Sequence, residues 1–125
     1  MSTAMAPTPV GATPEAMEPS PGTLPDDLRE PVAAYLAGAQ AILVAPGTMS
    51  DPLDPDGTAE IPIAILTDGA WIWDSSWPVL VRAHAVAPPA EFLSHMAANG
   101  YTPAQLDVAE LMAVGVRAGL VAPAG

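Results

Sequence analysis

The sequence predicts a small α+β domain: a short antiparallel sheet, made of a hairpin at about residues 61–74 and a strand at about 40–45, packed with about four helices. Three observations lead there. Asp68-Gly69, a strong two-residue turn signal, sits among alternating apolar residues. Apolar stripes at helical spacing lie before and after it. The chain has 125 residues, half of them apolar, which gives room for one core and one domain.

Taken in order, residues 1–23 carry Pro, Ala, Ser and Thr with no bulky apolar period, a composition that buries too little surface to offset chain entropy. They are expected to form a disordered tail, ahead of a single domain over 24–120 and a flexible C-terminus over 121–125. "LPDDLREPVAAYLAGA" (24–39) reads as a helix: Asp26 and Asp27 suit its positive end, Pro31 is tolerated near the start, and Val32, Tyr35 and Leu36 share a face. "QAILVA" (40–45) reads as a strand, closed by Pro46-Gly47 and a Pro/Asp/Gly-rich loop. In the hairpin a two-residue turn pairs Thr67 with Ala70, Leu66 with Trp71, Ile65 with Ile72 and Ala64 with Trp73. One face then carries Ile61, Ile63, Ile65 and Ile72, and the other Ala64, Leu66, Trp71 and Trp73. Both faces are apolar, so either helices cover both or one is left for a partner.

Three helices follow. Ser75 or Ser76 caps the first, which runs to about Ala85 with Trp77, Leu80, Val81 and His84 on one stripe. A second spans about Pro89 to Ala98 and buries Phe92, Leu93 and Met96. The last starts in "YTPAQL" (101–106), with Thr102 as cap, Pro103 as first helical residue and Gln105 completing a capping box. Its back half is apolar on nearly every side, which marks a helix central to the core or shared with another chain through 103–118.

Charge narrows the partners. Fourteen acids stand against three arginines and no lysine, a net charge of −11, which argues against nucleic acid and anionic membranes and favours a basic protein partner. No run of about 18 apolar residues and no secretory signal are visible, so a cytoplasmic location is expected. The absence of cysteine excludes disulfides and thiolate metal sites.

Signals for chemistry are sparse. Asp51, Asp54, Asp56, Gly57 and Glu60 look like a hard-cation loop, but an EF-hand register set on Gly57 puts Pro52 and Ile63 at the first and last ligand positions, so a solvated turn is expected. His84 and His95 are the candidates for acid–base work, without zinc spacing or a strained serine beside them. No catalytic residue, metal or cofactor is assigned. All three tryptophans lie within residues 71–77. Trp77 belongs to a core stripe. Trp71 and Trp73, beside Asp68 and Asp74, suggest an aromatic patch with an acidic rim that fits a basic surface or an arginine stacked on indole.

The stretch "DPLDPDG", then "IPIAILTDGAWIW", a helix and "VAPPAEFLSHM" resembles a group of small acidic bacterial proteins with a strand–TDGxWxW–helix pattern, some of them similar to immunity partners of secreted toxins. The likeness runs from Asp51 to Met96 and rests on Thr67, Asp68, Gly69, Trp71, Trp73 and His95. It implies a non-enzymatic binding module that occludes a basic toxin. Relatives with a Tyr-rich helix after the hairpin differ from "WPVLVRAHAV" here, and neither the tail nor the last helix matches the group. An accessory subunit, homodimeric through 103–118, is the second expectation, and a small hydrolase or ligand-binding protein using His84 and His95 the third.

Overall fold

The hairpin and the helix behind it organise the chain. The computed structural model describes residues 4–51, 53 and 60–120. Asp54, Asp56 and Gly57 of the acidic loop lie outside the described residues, as does the expected flexible C-terminus, 121–125. The fold is α+β. Three two-residue strands, β1 (Ala4–Met5), β2 (Thr8–Pro9) and β3 (Ala16–Met17), precede helix α1 (Asp26–Gly38). Then come β4 (Gln40–Ser50), β5 (Glu60–Thr67), β6 (Trp71–Asp74), α2 (Ser76–His84), α3 (Ala90–Ala98) and α4 (Val108–Arg117). The main sheet is antiparallel in the order β2-β6-β5-β4, and β1 pairs with β3 beside it.

The first three helix readings hold to within about two residues, the usual spread of helix ends. Two details differ. The strand expected at 40–45 continues to Ser50, with its pairing to β5 broken between Val44 and Thr48, around Pro46-Gly47. The hairpin register is displaced by two residues: Thr67 pairs with Ile72, Leu66 with Trp73 and Ile65 with Asp74. The cause is local. Asp68 Oδ1 accepts the amides of Ala70 (2.9 Å) and Trp71 (2.8 Å), and Thr67 Oγ1 accepts Gly69 N (2.9 Å) while donating to Trp71 O (2.8 Å). These side-chain bonds fold 68–71 into a four-residue turn that a two-residue turn would forfeit. Gly69 sits in it at φ +98°, where a Cβ would also press on Leu106 at 3.3 Å. Side chains alternate with period two, so a shift of two leaves Leu66 and Trp73 on one face as expected.

That face meets α1, α2 and α3. Val32, Tyr35, Leu36, Trp73, Trp77, Leu80, Val81, Phe92 and Met96 form one fully buried cluster. The last helix departs most from expectation. It begins at Val108, with Asp107 and Glu110 as the capping box. Residues 103–107 run ahead of it, tied to the start of β4 by Gln40, which accepts Leu106 N (2.6 Å) and donates to Leu106 O (3.0 Å). An acidic cap next to a free turn outcompetes Thr102, whose hydroxyl bonds Gly100 O instead. Nor is α4 central: it packs on β4, buries only Val114 and Gly115, and leaves Val108 and Met112 exposed.

Residues 4–23 follow a thin path over the domain. β2 extends the sheet through Thr8↔Ile72 and Pro9↔Trp71, Val10 N donates to Ala70 O (2.8 Å), and Trp77 Nε1 donates to Met5 O (2.7 Å). Strands this short contribute few ladder bonds, which fits a composition with little to bury. Among the described residues no helix is long and apolar enough to cross a membrane.

Candidate functional site

Asp68 organises the tip of the hairpin. Besides the two amides on Oδ1, its Oδ2 accepts the Tyr35 hydroxyl (2.5 Å) from α1 and His95 Nε2 (2.8 Å) from α3. Four donors fill the acceptor capacity of one carboxylate, and that side chain is 1% exposed. Asn99, one turn after His95, donates to Tyr35 Oη (3.3 Å) and lies 3.2 Å from His95 Nε2. Burial first, and then the bond to Asp68, raise the Tyr35 phenol well above its ordinary range. At neutral pH it is therefore a donor and not a general base. The network ties α1 and α3 to the hairpin turn and fixes the backbone of Trp71.

Trp71 is the residue this scaffold presents. Its ring stacks on Phe92 at 4.8 Å and 17°, with His95 tilted beside it at 6.3 Å. It remains partly exposed, and a cleft of about 320 Å³ opens beside it toward the N-terminal segment. The walls include Pro7, Pro9 and Thr13 on one side and Pro89 on the other, and both Glu15 and Glu91 contribute to the lining. Among the described residues no arginine lines it. Glu15 reaches the cleft because Ala6 N donates to its carbonyl (2.7 Å) across the β1–β3 pair, and Glu91 because it opens the first turn of α3.

Only part of the expected patch survives. Contrary to expectation, Trp73 is fully buried, its indole donating to Leu36 O (3.2 Å), so it has no surface to offer a partner. Asp68 is occupied by its four internal donors. Asp74 is half-buried and serves the start of α2, accepting Ser76 N (2.9 Å) and the Ser76 hydroxyl. The acidic rim therefore comes from Glu15 and Glu91. Glu15 was unreadable because it belongs to the tail, whereas Glu91, four residues before His95 on one helix face, was open to that inference.

The histidines are not brought to one centre. His84 Nε2 meets Asp51 Oδ2 at 2.7 Å, and His95 meets Asp68. Each aspartate was missed as a partner, because each pair spans about 30 residues of sequence. Among the described residues neither histidine bonds a serine or threonine hydroxyl, and no three His, Asp or Glu side chains are grouped to hold a metal ion. Compared with known proteins, the chain matches no family model, no curated protein and no solved structure.

Proposed function

We propose that this chain is a non-enzymatic, cytoplasmic protein-binding module that meets a basic partner through Trp71, most specifically an immunity-type protein that occludes a basic toxin. One observation carries the reading: a partly exposed indole, backed by Phe92 and by the Asp68 network, stands in a cleft lined, among the described residues, by two carboxylates and no arginine. Tryptophan on a rigid support is the typical anchor of an interface, because little side-chain freedom remains to be lost on binding. The net charge of −11 steers a basic protein toward it. The test is affinity capture from the native lysate with the tagged full chain beside Trp71→Ala. A single stoichiometric basic protein retained by the wild type and lost in the folded variant is expected. Capture that is indifferent to Trp71 overturns the reading.

A second reading has its own observation. The exposed large apolar residues among the described ones, Leu43, Val44, Val108 and Met112, all belong to β4 or α4. They favour an accessory subunit that self-associates through this side, including 103–118. Sedimentation of the wild type and Met112→Glu distinguishes the two: a dimer dissolved by the substitution supports it, and a monomer at high concentration removes it.

A further inference from the structure

We propose that the cleft beside Trp71 is a receptor for an arginine side chain of the partner, a proposal that rests on the binding reading above and names its ligand. Three features of the cleft select a planar cation. The first is the indole of Trp71, whose orientation is set before binding by the stack on Phe92 and the two amide bonds to Asp68. A guanidinium lies flat on such a face, with the ring quadrupole attracting its charge. The second is the pair of carboxylates. Among the described residues neither Glu15 nor Glu91 is in an ion pair, while Arg29 and Arg82 are engaged elsewhere, with Asp26 and Glu30. Two free acceptors in one cleft suit a fork of N–H donors, which an ammonium lacks. The third is the wall. Pro7, Pro9 and Pro89 present C–H surface with little conformational freedom, suited to the three methylenes of an arginine stem. A volume of about 320 Å³ holds one extended side chain with its neighbours' backbone and little more.

Charge excludes an anion here, since two carboxylates and no cationic side chain among the described residues line the cleft. The partner contact is thus one arginine laid against Trp71, surrounded by weaker steering contacts.

The probe is a set of three blocked tripeptides, Gly-Arg-Gly, Gly-Lys-Gly and Gly-Gln-Gly, titrated into the purified full chain and followed by amide and indole NMR signals. The Trp71 indole is assigned from Trp71→Phe. Binding of the arginine peptide should shift the Trp71 indole together with the amides of residues 6–15 and 89–91, about two- to fivefold more tightly than the lysine peptide. The glutamine peptide should leave these signals in place, and Glu15→Gln with Glu91→Gln should weaken the arginine peptide by about tenfold. Equal affinity for arginine and glutamine peptides, or shifts that avoid Trp71, overturn the arginine assignment. If the partner captured from lysate still depends on Trp71 in that case, the binding reading stands without the arginine; if capture is also indifferent to Trp71, both fall.

Discussion

Two histidine–aspartate pairs of nearly the same local geometry sit in different regions of this molecule. His95 meets Asp68 at 2.8 Å and His84 meets Asp51 at 2.7 Å; in each the aspartate is buried and about a quarter of the imidazole is exposed. Their surroundings differ. Asp68 gathers donors from α1, α3 and two turn amides, and it stands behind the stacked rings of Trp71 and Phe92. Among the described residues, Asp51 accepts only His84 and the Leu53 amide, at the edge of the acidic loop. The same pair is a structural keystone in one place and a loop tether in the other. What decides is the number of groups that lose a partner when the carboxylate goes.

The largest expected effect follows directly. Asp68→Ala strands the Tyr35 hydroxyl, His95 and two turn amides, and should cost about 3–5 kcal/mol in urea unfolding, against about 1 kcal/mol for Asp51→Ala. Equal losses would break the comparison. Next comes Tyr35→Phe, which removes one donor from Asp68 and should cost about 1–2 kcal/mol near neutral pH. Its pH signature sharpens the point. The folded-state phenol is raised, so its contribution is complete below the ordinary tyrosine value of about 10 and is lost as pH rises above it. Wild-type stability should therefore fall through that alkaline range, and Tyr35→Phe should flatten the fall. A slope unchanged by the substitution would assign it to other groups.

Smaller effects separate the histidines. His95→Ala loses the bond to Asp68 and ring contacts with Phe92 and Trp71, and should cost about 1–2 kcal/mol in thermal unfolding. His84→Ala, at the end of α2 with the loop beside it, should cost about 0.5–1 kcal/mol. Smallest of all, Glu15→Gln and Glu91→Gln should change stability by less than about 0.5 kcal/mol while weakening capture of the partner. A large stability loss in either would make it a structural residue and not a rim of the cleft.

How much of this was legible in the sequence depends on the range of the interaction. The α+β class, the first three helices and the faces of the hairpin follow from local period and turn chemistry. The turn itself differs from the expected one because Asp68 and Thr67 side chains capture amides that the Asp-Gly rule assigns to a two-residue turn. The start of α4 moved because two capping boxes compete in adjacent sequence, and Gln40, about 66 residues away, holds Leu106 outside the helix. Trp71 and Trp73 share a face, so the pattern alone does not tell which one the helices cover; α1 covers Trp73. The cleft depends on residues 6–15, which carry no period to read.

Hydrogen exchange of the complex with the captured basic partner tests the central claim most directly. Slower exchange at residues 6–15, 69–71 and 89–91, with Val108 to Met112 unchanged, is the result predicted for binding at the Trp71 cleft. Protection confined to Leu43, Val44 and the Val108–Met112 turn of α4 would contradict it and move the interface to the opposite reading.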